Sequence, residues 1–512
     1  MKSPGAFEYS GQSIRDVIDQ HAERTPDHIF LIDPTNGQSL TYADLQAAAR
    51  AVANRLANEG AKPGDTVAYA LKNGAGAARA ILGLFYGGYL ATAVNLVSGS
   101  RTIAHVLEHS RAGIVLVQED TRALVEETAA GGNLRLLSVD EALFESRPDT
   151  LPDAPVSSTD DGLLMYTSGT TGVPKGVLLT HGNLLAGGCN TANAHMLGGS
   201  DRGLCVLPLY HINGLCVTLL GALVSGSCVI MPSRFSVSLF WQHLRDHEGT
   251  WFSVVPTQIS YLLAEAEANG HDTAGLEQLR FGRSASSALS PDVQRSFEDK
   301  FAIPVIETMG LTETAAQILS NPMTGTRKIG SPGIASGNEI IVGDEHQNEL
   351  PRGQEGEVLV RGPNVMRGYL RNEEATSNAL TPDGWLRTGD LGRMDDDGFV
   401  FITGRLKELI IKGGENIAPR EIDEALYALP DVIEAAAFAC DCTTYGQRVE
   451  AAVMLSPGSS WTSEKLVAEC RTSLGKFKAP DHVHILPELP KGPSGKIQRL
   501  KLVEITQSDL AG

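Results

Sequence analysis

The apolar run Leu163-Leu164-Met165-Tyr166 passes directly into Thr167-Ser168-Gly169-Thr170-Thr171-Gly172-Val173-Pro174-Lys175-Gly176, and this junction constrains the chain more than any other. From Tyr166 to Gly176 it gathers four serine and threonine hydroxyls, three glycines and one lysine. Glycines let a backbone approach closely, amides and hydroxyls donate hydrogen bonds, and lysine supplies a point charge, so the composition suits a loop around polyphosphate. The apolar run reads as a short buried strand, which puts the loop at a sheet edge. The P-loop pattern of nucleotide triphosphatases does not fit: Pro174 replaces the glycine before the lysine, and Gly176 replaces the Ser or Thr that would meet Mg²⁺. A flexible Ser/Thr/Gly linker would explain the glycines, but not a Pro-Lys-Gly ending followed by Val177-Leu178-Leu179.

At 512 residues the chain exceeds one ordinary core, so two or more domains are expected. A formal charge of −19 argues against nucleic-acid partners and anionic membrane surfaces. An anionic substrate must then meet locally placed cations, which gives weight to individual lysines and arginines inside motifs. The seven cysteines are scattered, with no CxxC pair, as expected of small core residues in a reducing cytoplasm. No apolar run is long enough to span a bilayer, and Met1-Lys-Ser-Pro-Gly5 lacks a signal core, so a soluble, unprocessed protein is expected.

Helical and strand patterns alternate through the first part. Thr41 caps a helical run beginning at Tyr42, Thr66–Leu71 reads as a strand, and Ala75 starts an Ala/Leu helix. Ile114–Gln118 and Cys228–Met231 are further short apolar strands. This alternation implies layered α/β structure with largely parallel sheets. From about Gly330 the texture becomes Gly-punctuated β segments, Glu339–Val342, Gly356–Val360 and Gly398–Ile402, which suggest a distorted β-barrel. After Arg405 comes a compact α+β tail, with helices over Pro419–Leu429 and Ser463–Leu474 and strands over Ile433–Phe438 and Glu450–Leu455.

Other segments fit the same chemistry. Glu307-Thr308-Met309-Gly310-Leu311-Thr312-Glu313 follows an apolar strand; its hydroxyl and carboxylate suit Mg²⁺ against phosphate, while a solvated Thr-Glu helix start would look the same. Trp385-Leu-Arg-Thr-Gly-Asp390 puts a carboxylate behind a tight turn, as needed to grip ribose hydroxyls, or is an ordinary turn. Gly404-Arg405-Leu-Lys407-Glu408 through Lys412-Gly413-Gly414 clusters cations with glycines at the inferred boundary. Pro490-Lys-Gly-Pro-Ser-Gly-Lys496 carries a lysine on a glycine-rich tip.

In this order and spacing, the segments resemble the adenylate-forming superfamily of acyl-CoA synthetases, firefly luciferases and nonribosomal adenylation domains, from about Ser13 to Leu502. The resemblance implies an N-terminal domain over residues 1–404 and a small mobile C-terminal domain over 405–512. It implies an ATP-dependent acid–CoA ligase: a carboxylic acid is activated as acyl-adenylate with release of pyrophosphate, and the acyl group then passes to coenzyme A. Thr167, Ser168, Gly169, Thr170, Thr171, Gly172 and Lys175 would embrace the ATP phosphates, with Thr167 and Glu313 at Mg²⁺ and Thr312 beside them. Asp390 would take the ribose hydroxyls, with Arg405 close by. Ser286, Ser287, Ala288 and Glu307, Thr308, Met309 would flank adenine, Met309 standing where the family usually has tyrosine. Lys407 falls at the hinge, Lys496 at the catalytic lysine, and Gly413 with Gly414 at the pantetheine channel.

Leu207-Pro-Leu-Tyr-His211-Ile-Asn-Gly214 has histidine and no aspartate where amino-acid adenylation domains pair a substrate ammonium, which disfavours an α-amino acid. His211 resembles a pocket-lining histidine of CoA ligases, or is a satisfied, partly buried one. Free CoA is the expected acceptor because no carrier domain is present; the alternative is a stand-alone enzyme loading a carrier protein. A non-catalytic relative is a third reading, against which Lys175, Glu313, Asp390, Arg405 and Lys496 all stand. Tyr445-Gly446-Gln447 departs from the family's Tyr-Gly-Glu. Phe235-Ser236 with Phe240-Trp241, Thr250-Trp-Phe252, Arg283-Ser284 and Ser320-Asn-Pro322 look most like oxalate–CoA ligases and similar small-acid ligases. Gly310 and Ala316 depart from their alanine and histidine, so a larger, less polar pocket than oxalate's is expected there. Arg283 could pair a second substrate carboxylate, or form a structural ion pair. A monomer or homodimer is expected.

Overall fold

A glycine deep in one helix illustrates how the N-terminal body is assembled. A β-carbon on Gly83 would stand 2.5 Å from Val52 Cβ, so the Ala-rich helices Tyr42–Asn58 and Ala75–Gly87 approach as closely as their backbones allow. The computed structural model describes residues 6–128, 134–145, 154–167, 174–270, 272–492 and 496–509. Thr41 caps the first of these helices as expected, in a reciprocal capping box with Asp44.

Among the described residues the helices flank two large sheets. One has seven strands in the order Gly368–Tyr369, Lys175–Thr180, Asp161–Thr167, Leu90–Ala93, Thr66–Ala70, Ile114–Val117, Arg135–Ser138. The other has nine and centres on parallel strands Val305–Leu311, Phe281–Ser284, Trp251–Val254, Arg202–Cys205, Cys228–Ile230 and Ile29–Asp33. The layered, largely parallel α/β expectation holds. The Asp161–Thr167 strand is not an edge: it lies between Leu90–Ala93 and Lys175–Thr180, so the glycine-rich loop leaves the end of an internal strand. One large apolar core joins both sheets to the helices, and separate clusters around Phe252 and Val115 pack further helices onto them.

The expected barrel is absent among the described residues. Glu339–Gly343, Glu355–Arg361, Leu386–Met394 and Val400–Arg405 form an open four-stranded antiparallel sheet. Glycine punctuation marks strands and turns, but closure requires the first and last strands to pair, which local pattern does not encode. The last strand is also displaced from the expected Gly398–Ile402 and continues through Arg405. Among its described residues the C-terminal unit has five strands with the helices Pro419–Tyr427 and Ser463–Lys478 over them, around Ile410, Ile422, Leu426, Val449, Val453 and Leu466. No helix among the described residues is long and apolar enough to cross a membrane.

Candidate active site

Asp390 and Arg405 stand opposite each other on paired antiparallel strands, so their side chains meet on one face. Arg405 Nε donates to Asp390 Oδ1 at 2.7 Å. The turn before Asp390 depends on Gly389, whose φ of +73° is left-handed and whose N–H donates to Glu357 Oε1 at 2.9 Å. Asp390 is 3% exposed, and its Oδ2 has no partner among the described residues. Burial pushes the carboxyl above its ordinary range, against the opposing pull of Arg405 and Lys496. A buried acceptor without a donor costs about 1–3 kcal/mol. That free oxygen leaves room for a hydrogen-bond donor brought by a ligand.

Lys496 comes to this pair from the C-terminal unit. Burial, then Arg405, lowers its ammonium to about 8, while Asp390, Glu408 and Glu313 act to hold the proton on. Lys496 therefore lies within electrostatic reach of carboxylates on the Asp390 strand, the Glu408 turn and the Glu313 3₁₀ turn. Its tip is anchored by an antiparallel pairing of Lys491 with Ile497, and Gly492 N–H donates to the Lys496 carbonyl at 2.6 Å. Asp390, Arg405, Glu313 and Lys496, distant in sequence, are thus brought together.

At the glycine-rich hairpin expected to hold phosphate, Thr167 pairs with Lys175 across the base. Ser168, Gly169, Thr170, Thr171 and Gly172 lie outside the described residues. Glu313 sits in a 3₁₀ turn, Thr312–Thr314, and accepts from Tyr369 Oη at 2.9 Å. Lys175 Nζ lies 4.9 Å from the centre of the same Tyr369 ring. Tyr369 is a member of this cluster that sequence reasoning missed; its strand is only two residues long and reaches the loop by pairing with Val177 and Leu178. Among the described residues no three His, Cys, Asp or Glu groups form a ready metal cage. Glu313 and Thr167 offer hard oxygen donors, the set Mg²⁺ takes when phosphate oxygens complete its shell.

The segments expected at adenine lie side by side. Ser284 pairs with Glu307 across parallel strands, and Glu307 Oε1 accepts from Leu289 N–H at 3.0 Å, which ties down the Ser286–Ala288 turn. Ser286 holds a left-handed φ of +76° and its Oγ accepts from Asn213 Nδ2 at 3.1 Å. Ser287 and Ala288 are exposed, Thr308 is buried and Met309 is partly buried. Burial pushes the Glu307 carboxyl up.

Behind this turn lies a polar cluster centred on Arg283. The side chain is 1% exposed and donates to Asn213 Oδ1 at 2.9 Å, Ser253 Oγ at 3.1 Å and Gln317 Oε1 at 3.2 Å. All three partners are neutral, so the structural ion pair expected as one alternative is absent among the described residues. Burial pulls the guanidinium well below its ordinary value. Gln317 Oε1 also pairs with His195 Nε2 at 3.1 Å, and burial drops His195 to about 3, leaving that ring neutral. Ser284 Oγ beside Arg283 is buried with no partner among the described residues. His211 precedes a π-helix, Asn213–Leu220, the kind of irregular turn that re-aims side chains at sites. Gly214 is required there, since a β-carbon would meet the Leu207 and Pro208 carbonyls at 2.5 Å.

The expected enlargement at Gly310 is not found. A β-carbon at Gly310 would stand 1.9 Å from the Ala316 carbonyl oxygen. Ala315 and Ala316 both take positive φ, 45° and 82°, and push that carbonyl into the space a side chain would have filled. Gly413 and Gly414 form an exposed, left-handed hairpin turn, with Gly413 N–H donating to the Tyr445 carbonyl at 2.8 Å. Gln447, the departure noted above, accepts from Ile411 N–H at 2.7 Å. Lys407 is exposed, on the connection after Arg405.

The profile of the AMP-binding enzyme family matches residues 18–370, and that of the AMP-binding enzyme C-terminal domain matches residues 421–496. The chain belongs to the AMP-binding enzyme family. Among relatives in this family, a sulfoacetate–CoA ligase of Cupriavidus necator is 45% identical over 502 residues, 95% of this chain and 96% of that protein. An oxalate–CoA ligase of Arabidopsis thaliana is 35% identical over 502 residues, 94% of this chain and 96% of that protein. The ATP-bound crystal structure of MatB from Rhodopseudomonas palustris matches with a TM-score of 0.89 at 28% identity, over 98% of this chain and 100% of that one. The apo crystal structure of the same MatB matches at 0.76.

Proposed function

We propose that this chain is an ATP-dependent acid–CoA ligase working in two half-reactions on one site. The observation that carries the reading is the buried Asp390, held by Arg405 at 2.7 Å with its second oxygen unpartnered among the described residues, and Lys496 of the C-terminal unit within electrostatic reach of it. In the first half-reaction a substrate carboxylate oxygen bonds to the α-phosphorus of ATP, the α–β phosphoanhydride bond breaks, and pyrophosphate leaves. Two anions must meet, so Lys496 supplies positive charge where it peaks in the transition state. Asp390 Oδ2 accepts from the ribose, and Arg405 orients Asp390 while facing the phosphates. Thr167 through Lys175 wrap the polyphosphate, a role that rests on sequence for Ser168, Gly169, Thr170, Thr171 and Gly172. Ser286, Ser287, Ala288, Glu307, Thr308 and Met309 bound the adenine. Thr167, Thr312 and Glu313 would hold Mg²⁺, which supplies charge neutralisation for the leaving pyrophosphate.

In the second half-reaction the CoA sulfur attacks the acyl carbonyl and AMP leaves. Lys496 has no part in that step. The boundary near residue 404 and the exposed Lys407 support a hinge about which the unit from 405 to 512 turns, bringing Gly413 and Gly414 to the thiol channel. CoA is favoured over a carrier protein because both relatives named above are CoA ligases. Seven free cysteines support a cytoplasmic setting.

The acid pocket lies among His211, Ser284, Gly310 and Ala316, with Arg283 behind them. A buried guanidinium with only neutral partners is complementary to an anion, so the substrate reads as a small acid with a second anionic group. Sulfoacetate, the substrate named for the 45%-identical relative, has that form. The test is pyrophosphate release across sulfoacetate, oxalate, malonate, short fatty acids and aryl acids, with and without CoA. CoA-stimulated release with the doubly anionic acids is expected. Preference for singly charged acids would refute the Arg283 assignment, and silence throughout would refute the ligase.

A further inference from the structure

Lys491, five residues before Lys496, makes a bond that leaves its own domain. Its ammonium lies 2.8 Å from Glu434 Oε1, within the C-terminal unit, and donates to Tyr261 Oη at 2.7 Å. Tyr261 belongs to the helix Pro256–Asn269 of the N-terminal body, which packs against the Val432–Cys442 strand carrying Glu434. The ammonium also stands 5.3 Å from the centre of the Tyr261 ring. Glu434 is almost fully buried and already balances the lysine charge, so that charge is paired within the C-terminal unit whether or not Tyr261 is reached. Arg420 crosses the same boundary, to the Ile402 carbonyl at 2.7 Å and the Gly330 carbonyl at 3.4 Å.

Lys491 and Lys496 share one two-stranded tip. Gln498 N–H donates to the Pro490 carbonyl at 2.8 Å, Lys491 pairs with Ile497, and Gly492 N–H bonds the Lys496 carbonyl. Any turn about Lys407 that lifts Lys496 off Asp390 must therefore part Lys491 from Tyr261. We propose that the Tyr261 hydroxyl is a positioning group that latches the C-terminal unit in the orientation that adenylates, and that its release is part of passing to the second half-reaction. This rests on the two-step reading above.

The test is Tyr261→Phe, which keeps the ring and removes the hydroxyl. With no ligand present, tryptic cleavage after Lys407 is expected to quicken by about tenfold, the weight of one hydrogen bond to a charged group. With sulfoacetate as probe, ATP–pyrophosphate exchange should fall by a similar factor, while thioester formation from supplied acyl-adenylate and CoA is unchanged or faster. An unaltered cleavage rate, at unchanged melting temperature, overturns the latch. So does an equal fall in both half-reactions, which marks a mere brace. If the unmutated protein gives no exchange with sulfoacetate, the acid assignment fails, and the cleavage rate alone decides the latch.

Discussion

Raising the pH from 7 to 9 should slow the adenylating half-reaction. Burial and the neighbouring Arg405 hold the Lys496 ammonium at about 8. A base with a depressed pKa is charged below that value and neutral above it. About nine-tenths of the molecules carry the charge at pH 7 and about one-tenth at pH 9, whereas an ordinary lysine would stay about 97% charged at pH 9. The rate constant at low substrate, kcat/KM, reports the unliganded enzyme, so it should fall about tenfold over that interval. Bound phosphate would raise the ammonium's pKa, so at saturating ATP the fall should move to higher pH. Initial-rate pyrophosphate release at subsaturating ATP measures this directly. Thioester formation from supplied acyl-adenylate should show the opposite slope, because a free thiol ionises near pH 8.5. A kcat/KM for adenylation that is flat or rising from pH 7 to 9 would refute the placement of Lys496 as the charge that meets the α-phosphate.

Two substitutions probe the rest of the site. Asp390→Asn keeps the shape of the buried acceptor but weakens its pairing with Arg405; the KM for ATP should rise by roughly tenfold or more, the weight of a charged hydrogen bond, and an unchanged KM would remove Asp390 from the ribose site. Gly310→Ala forces a methyl against the Ala316 carbonyl; a loss of about 1–3 kcal/mol in chemical denaturation is expected, and a neutral result would mean that the Ala315–Ala316 turn yields freely.

The parts of the site that sequence reveals are those written in contiguous residues. Thr167 with Lys175, Thr312 with Glu313, and the Thr-Gly-Asp turn at Asp390 are each set by local turn chemistry, so their residue types betray them. The helix Tyr42–Asn58 with its Thr41 cap was legible for the same reason. What stays hidden is set by pairing across long separations. Nothing near Tyr369 announces that it will meet Glu313 and Lys175, and nothing near Tyr261 announces Lys491. The β segments after Gly330 were visible, yet whether they close was not, since that depends on which edges meet. Gly310 misleads for a related reason: a missing side chain reads as space, but the Ala316 backbone had moved into it.

Arg283 has a consequence for the stability of the whole molecule. A cation held in the interior by Asn213, Ser253 and Gln317, with no charged partner among the described residues, is a standing electrostatic debit. Isosteric apolar replacement would ordinarily make such a core firmer, as is common where activity depends on a destabilised centre. Selection for thermal tolerance alone would therefore favour its loss, and on the proposed reading only the need to hold a charged acid opposes that. On the proposed reading, its persistence in a folded chain reflects a continuing need to hold an anionic acid.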